Sequence, residues 1–365
     1  VNAATRAALG ALLVLATANV VQAQCVNVRD RGAAGDGIRD DTAAIQAAIN
    51  SAINAHRGRT VCLPAGDYRV TSTIIVDDVL GIRLIGEGGA TRLIWGGNDR
   101  SPMLLFSSVQ DGEVHGFQII ALPSQPLDVA IQCITRSGAT FNSKHNMFVD
   151  LRIDGITHGV RKGFQIGGAG VDANNDFHLF ENVIVGNYAN VAYSVENSQV
   201  YGLLFINCLF VSSDAGQVGV ATTQGNFAWI GGGGGGNKTA DFSFGGPNNG
   251  PVLITNAILE SSARFLRTGG PSGASFTVEV SGIRWSGDAI AADGIAIDFR
   301  YPGPLMIRNS RFGSDPTKAL TISWSPGGSA ANSLFIFEGN TVTRAPTGPL
   351  FIGRQPTRAN DNIVY

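Results

Sequence analysis

Between Asn142 and Glu181 the chain gathers most of what could do chemistry: Lys144, His145, Asp150, Arg152, Asp154, His158, Arg161, Lys162, Asp172, Asp176 and His178. Three of the five histidines and two of the four lysines fall in this stretch of a chain that is only 15% charged. Breaking a polymer bond takes one of two sets of groups. One is an unprotonated base with a cation to neutralise developing negative charge; the other is a pair of carboxylates, one of which stays protonated. The stretch holds residue types for both. Asp172, Asp176 and His178, with Lys144, His145 and His158, are the candidate catalytic groups. Arg152, Arg161 and Lys162 are the candidate contacts to an anionic substrate. Asp172, Asn174 and Asp176 sit at alternate positions and could hold calcium through oxygen, although the glycine and terminal Glu of an EF-hand loop are missing. The competing reading is a solvated surface, in which Asp150, Asp154 and Asp172 only hydrogen-bond their own turns.

What must position these groups is a stack of short strands. A phrase of the form apolar, any, Asn/Gly/Asp, two residues, apolar recurs, centred on Gly81, Gly116, Asp150, Asn182, Asn207, Asn256, Gly282, Asn309 and Gly339. Successive centres lie 25 to 35 residues apart, except for one step of 49 between Asn207 and Asn256, where a degenerate coil is expected near Trp229-Ile230. Strands of four to six residues at such a period, without helices, are the signature of a β-solenoid, in which each coil buries its apolar face only against its neighbours. One segment differs. From Asp41 to Arg57, Ile45, Ile49, Ala52 and Ile53 form a single apolar stripe at helical spacing. Asp40 or Asp41 is placed to cap its first amides and Gly58 to stop it.

The segment around that helix reads Asn27-Val28-Arg29-Asp30-Arg31-Gly32-Ala33-Ala34-Gly35-Asp36-Gly37, then Asp40-Asp41-Thr42, Ala44-Ile45-Gln46 and Ala48-Ile49, and then Pro64-Ala65-Gly66-Asp67-Tyr68. It resembles the opening of the pectate-lyase-like right-handed parallel β-helix superfamily, with Arg31 the one departure. The resemblance implies an all-β, single-stranded right-handed parallel β-helix with an N-terminal α-helical cap over residues 41–57. It implies a polysaccharide-active protein but no particular reaction, because lyases, hydrolases, epimerases and phage tail spikes share this opening. Thr157-His158-Gly159 is similar to the small-His-Gly element of polygalacturonases, but its partner motifs are not found. Gly170-Val171-Asp172 lacks the Pro-His of the alginate epimerase motif. No family catalytic residue is therefore carried across.

Composition supports an exported solenoid. Gly accounts for 48 of 365 residues and apolar residues for 44%, which suits a large core with many tight turns. A net charge of −2 argues against general nucleic-acid binding. Arg6, the apolar run Ala7 to Val21 and Val21-Gln22-Ala23 read as a signal peptide over residues 1–23. It leaves one domain over 24–365, secreted or periplasmic and not inserted in a membrane. An exported chain permits disulfides; Cys25 and Cys62 are the plausible pair, with Cys133 and Cys208 as buried thiols. The run Gly231 to Gly236 lacks the context of a phosphate loop and reads as a glycine corner. Trp229 beside it, with Tyr188, is the candidate ring platform for a sugar, whereas Trp285 reads as core. The function expected is cleavage of a uronate-containing polysaccharide, with β-elimination favoured over hydrolysis. The alternative is a non-catalytic glycan binder or adhesin on the same scaffold.

Overall fold

The computed structural model describes residues 25–98, 101–168, 173–212, 216–223, 225–246, 251–269, 277–326, 334–345 and 347–365. The segment 1–23 and Asp172 lie outside these residues. The chain winds into a solenoid of three long sheets. The first has twelve strands, from Val26–Asn27 to Phe335–Glu338, and the second thirteen, from Asp36–Asp40 to Ile363–Val364. The third has fifteen, thirteen of them in one series from Ile53–Asn54 to Phe351–Gly353. Neighbours within each sheet are successive coils and pair in parallel, as in Val114↔Phe148↔Phe180↔Phe205↔Trp229↔Ile254 of the first sheet. Among the described residues, the single antiparallel pairing is the hairpin Ile53–Asn54 with Arg57–Gly58.

That hairpin shortens the expected helix. The helix runs Thr42–Ala52 and not to Arg57, because Ile53 turns extended and Ala55 and His56 adopt left-handed φ of 46° and 60°. Gly58 is thus a strand residue, and its neighbour Arg57 pairs with Leu80 of the third sheet. Of the predicted stripe, Ile45, Ile49 and Ala52 are buried on the helix, with Ala48 beside them, whereas Ile53 lies past its end and is only partly buried. Asp40, and not Asp41, receives the first helical amide, that of Thr42, at 3.0 Å. The buried Asp41 carboxylate instead accepts the N–H groups of Ala34 and Gly35 and so ties down the glycine turn of the opening motif. Cys25, the residue before the strand Val26–Asn27, and Cys62, which stands in register with Asn27, form a disulfide, and Cys133 and Cys208 are buried thiols.

Among the described residues, two series of corners are built on left-handed residues. At the passage from first to second sheet these are Gly116, Asp150, Asn182, Asn207, Gly231, Asn256, Gly282, Asn309 and Gly339, with φ between 48° and 70°. Each donates its N–H one coil onward, as Asn182 does to Ile206 O and Gly231 to Thr255 O. Gly231 supplies the corner missing from the 49-residue step, and the coil expected there contains the strand Phe227–Ile230. Gly81 belongs elsewhere: with Asp111, His145, Phe177 and Gly202 it forms the corner from third to first sheet. Both corners demand the same backbone region and so select the same residues. Side chains add a ladder, in which Asn207 Nδ2 donates to Asn182 Oδ1 (2.8 Å) and Asn182 Nδ2 to Asp150 Oδ1 (3.1 Å). Asn182→Ala should therefore cost about 1–2 kcal/mol, from left-handed strain and two lost bonds. Asn182→Gly, which keeps the backbone at ease, should cost less. Urea midpoints in which the alanine variant equals the glycine one would contradict this.

Inside, residues in register stack at about the strand spacing of 4.8 Å. Phe148, Phe180, Phe205 and Trp229 form one column, with ring centroids 5.1, 4.6 and 5.3 Å apart. Phe164 stacks on Tyr193 at 5.6 Å in the third sheet beside it.

Candidate functional site

Of the charged residues singled out above, Arg161 and Lys162 lie on the outer face of the third sheet, over the strands Pro102–Gln110, Leu127–Ile134, Val160–Ile166 and Tyr188–Val195. Alternation sends Ile131, Phe164 and Tyr193 inward and leaves Leu105, Gln132, Gln165 and Ser194 as one outward column. Beside it Lys162 forms an ion pair with Glu196, and the two side chains are only 13% and 16% exposed. Ser194 Oγ donates to the same carboxylate at 2.7 Å, and Lys162 Nζ also reaches Gln165 Oε1 at 3.4 Å. Arg161 donates through Nε and Nη2 to both oxygens of Asp128. Shielded ion pairs cost desolvation and persist only where hydrogen bonding compensates, as it does here.

A second group continues the same sheet. Ser143–Lys144 and Asn175–Asp176 are short strands beyond the ends of Leu127–Ile134 and Val160–Ile166, and Gln110, Lys144 and Asp176 stand in register. The connection 135–142 falls between the two groups. Leu105 is in register with Gln132 and Gln165, and Gln110 with Asp176, so Gln165 and Asp176 lie about 16 Å apart along the sheet. At the corner that follows, His145 Nδ1 meets Asp111 Oδ1 at 3.2 Å and its ring lies 5.6 Å from that of Phe177. Phe177 is 56% exposed and left-handed (φ 57°), an uncommon state for a bulky residue and one that collects at functional sites. Its ring lies over Gly202, where a side chain would collide with it. Asp176 is nearly buried and accepts the Tyr201 N–H at 3.0 Å. Burial holds its carboxyl above the usual carboxylate range, against the pull of that N–H and of the Lys144 and His145 charges.

The remaining candidates go elsewhere. His178 is fully buried; its Nδ1 accepts the Asn146 N–H at 3.2 Å, and burial pushes its pKa down to about 3. It has no surface to offer a substrate. Trp229 and Tyr188 are also core. Trp229 closes the aromatic column, and Tyr188 donates to Asn237 inside the solenoid, so neither is a platform. The alternation of side chains across a strand put both inward. Arg152 lies on the second sheet, paired with Asp154 at 3.0 Å. His158 sits at the far end of the third-sheet face, lining a hollow of about 150 Å³ with Asp128 and Arg161, and its buried Nδ1 has no partner. The calcium arrangement includes Asp172, which is outside the described residues; among those residues no group of three His, Cys, Asp or Glu side chains is spaced for a metal.

Sequence reasoning missed Asp128, Glu196, Asp111 and Phe177. Asp128 and Glu196 lie one coil either side of Arg161 and Lys162, at separations of 33 and 34 residues. That is the repeat length itself, a signal that only the coil register makes readable.

Residues 25–101 match the family model described as rhamnogalacturonase A/epimerase, pectate lyase-like. A mannuronan C5-epimerase of Azotobacter vinelandii, AlgE1, is 67% identical over 45 residues, which is 12% of this chain and 3% of that protein. Alginate lyase 7 of the same organism is 62% identical over 45 residues, 12% of this chain and 5% of the relative. The chain thus matches only a small part of these relatives' length. Among solved structures, the A-module of the A. vinelandii epimerase AlgE6 superposes with a TM-score of 0.63 at 16% identity, covering 93% of this chain and 99% of the module. The Dettilon tailspike protein gives 0.60 at 14% identity over 92% of this chain and 65% of its own. At such identities the likeness is one of fold. The chain thus resembles the pectate-lyase-like parallel β-helix superfamily in the sequence of its opening segment, and its three parallel sheets have the fold of those structures.

Proposed function

We propose that this protein is an exported carbohydrate-active enzyme that acts on a uronate-bearing polysaccharide laid over the outer face of the third sheet. The observation that carries the reading is Asp176: a nearly buried carboxyl with a raised pKa, in register with Lys144 and one residue before the corner paired to His145. A raised carboxyl pKa is a shift in the direction that a general acid needs. His145 Nδ1–H on Asp111 leaves Nε2 free to take a proton. Lys144 supplies positive charge for a uronate carboxylate as negative charge builds on it. Phe177 offers a flat face to a sugar ring. The favoured reaction is β-elimination. His145 removes the proton beside the uronate carboxyl, and the freed pair becomes the ring double bond. The bond to the leaving glycosidic oxygen breaks, and that oxygen takes the proton of Asp176. The similarity of the opening segment to an alginate lyase and to mannuronan epimerases supports a uronate substrate. The Cys25–Cys62 disulfide supports an oxidising compartment.

The test is a panel of uronate and neutral polysaccharides, with and without calcium, followed both by the ultraviolet absorbance of an unsaturated product and by new reducing ends. Absorbance should appear on a uronate polymer. Asp176→Asn and His145→Ala should each lower it about a hundredfold or more, the usual scale for a lost acid or base. Asp176→Asn should melt no lower than the parent, since it removes a buried ionisable group. Reducing ends without absorbance would overturn elimination in favour of hydrolysis. Exchange of solvent deuterium into the sugar without cleavage would indicate epimerisation. A second reading, glycan binding without turnover, draws on the internal neutralisation of Arg161 and Lys162 by Asp128 and Glu196; binding by a parent that changes no polymer would establish it.

A further inference from the structure

The second sheet carries a charge arrangement that the third-sheet site does not use. Its outward column runs Leu209, Gly233, Ile258, Arg284, Arg311 and Thr341, each in register with the next on adjacent parallel strands. Arg284 and Arg311 are therefore immediate neighbours, about 4.8 Å apart at the backbone. Both are exposed, and among the described residues neither has a carboxylate within ion-pair distance or a hydrogen-bond acceptor for its guanidinium. Several other arginines are paired: Arg83 with Glu113, Arg92 with Asp67, Arg136 with Asp77, Arg264 with Asp293 and Arg300 with Asp298. Glu260 stands diagonal to Arg284, because it is in register with Ser286.

Like charges opposed on neighbouring strands destabilise a sheet. Here they flank a hollow of about 170 Å³, which also takes in the hydroxyl-bearing Ser286, Ser314 and Thr343 and the side-chain-free Gly313. Two forks of N–H donors with hydroxyls beside them match a planar, bidentate anion. The surface N-terminal to the pair has room for what such an anion is attached to. The strand Gly233–Gly235 has no side chains, and a Cβ on Gly233 or Gly235 would collide with the carbonyl of Ile258 or Glu260, so no other residue fits there. Above that strand lies a trough of about 650 Å³, walled by Leu209 and Val211 on one side and Ile258 on the other. Val211 and Ile258 are 49% and 59% exposed. Apolar walls suit the carbon faces of a ring, and the paired guanidinium groups suit its carboxylate.

We propose that Arg284 and Arg311 form a second, non-catalytic binding site for the carboxylate of a uronate sugar, with the neighbouring rings of the same chain lying in the glycine trough. The site is on a different sheet from the proposed reaction and would hold the polymer while the third-sheet face works on it. It rests on the uronate reading only for the source of the carboxylate, and its test reads binding and not turnover.

The Asp176→Asn protein, used so that no substrate is consumed, is titrated calorimetrically with a mannuronate hexamer, a galacturonate hexamer, a neutral cellohexaose, and phosphate or sulfate alone. At least one uronate hexamer should bind saturably, and Arg284→Gln and Arg311→Gln should each weaken that binding about tenfold. The double variant should lose this second-sheet component and keep only binding to the third-sheet face, and the salt dependence should fall with each arginine removed. Without ligand, Arg311→Gln should melt slightly above its parent, because the like-charge contact is gone. The proposal is overturned by the absence of binding to either hexamer, by equal binding in the double variant, by preference for cellohexaose, or by binding of the inorganic ion only. Absence of turnover by the parent, with this binding intact, would refute the enzyme reading and leave this one standing.

Discussion

Phe205→Ala should lower the free energy of unfolding by about 4 kcal/mol, the scale of a large aromatic deleted from a closed core. Phe205 is fully buried and stands at the middle of the aromatic column, stacked on Phe180 at 4.6 Å and on Trp229 at 5.3 Å. Tyr193 at 5.2 Å and Phe227 at 5.9 Å meet it edge-on. Truncation removes the transfer energy of the ring and also those aromatic pairs, each worth about 0.5–1.5 kcal/mol beyond burial. The neighbours cannot collapse into the gap, because each is held by the hydrogen-bonded register of its own strand. In a solenoid a coil contacts only its neighbours, so the damage should be local. Amide exchange should speed up in the strands Leu179–Glu181, Leu203–Ile206 and Phe227–Ile230 and remain unchanged in Phe335–Glu338. Phe205→Leu, which nearly conserves volume, should cost less than about 2 kcal/mol. An alanine variant with a urea midpoint near the parent's, or exchange that accelerates evenly along the chain, would show that the column does not carry the core.

The solenoid was readable because its corners are chemically expensive. Every coil must place a residue at positive φ, and Gly, Asn and Asp bear that at least cost. Asp150, Asn182, Asn207, Asn256, Gly282, Asn309 and Gly339 therefore stand out in the sequence, spaced by the repeat. Gly81 was assigned to the wrong corner for the same reason: the two corners make the same demand on the backbone, and only pairing tells them apart. The helix was legible from its stripe and its end was not. Ile53 continues the apolar periodicity while its backbone has already left the helix, and Ala55 and His56 carry no propensity signal for the left-handed turn they make.

The candidate site was legible as a region and only partly as residues. Charge in a chain so poor in it marked the stretch from Lys144 to Asp176, and the structure does bring Lys144, His145 and Asp176 to one edge and Arg161 and Lys162 to one face. Strand parity decided the failures. His178, Tyr188 and Trp229 face inward, and a polar or amphipathic residue inside a solenoid has the same letter as one outside. Coil register decided the omissions. Asp128 and Glu196 are partners across the repeat length, and Arg284 and Arg311 each follow their corner residue, Gly282 or Asn309, by two positions. Folding the sequence on its own corners would have put these pairs side by side.

Two buried titratable groups should make the stability of this protein nearly independent of pH over a range in which each alone would tilt it. His178 is buried in the first-sheet corner with its Nε2 unpartnered, and burial lowers its pKa from 6.5 to about 3. The unfolded chain takes up the proton first, so the stabilisation from neutral burial is complete above 6.5 and is lost as pH falls from there to about 3. Asp241 lies in the core with its carboxylate accepting from Ser262 Oγ, Asn237 Nδ2 and Trp285 Nε1. Burial outweighs those bonds and pushes it up from 3.8 to about 7. Its sign is opposite: the folded chain holds the proton longer, so its contribution is complete below 3.8 and is lost as pH rises to about 7. Each slope is about 1.4 kcal/mol per pH unit, and either group over its whole range is worth on the order of 4 kcal/mol. Between about pH 4 and 6.5 the two cancel. Asp241→Asn keeps an amide able to bond Ser262 and Trp285 but cannot ionise, so it should leave a protein whose stability climbs with pH across that window. His178→Asn, whose carbonyl can accept the Asn146 N–H, should leave one whose stability declines. Chemical denaturation at half-unit steps of pH measures both as differences from the parent, which removes the surface groups common to all three. Parallel profiles for parent and variants would mean that neither group titrates inside the fold.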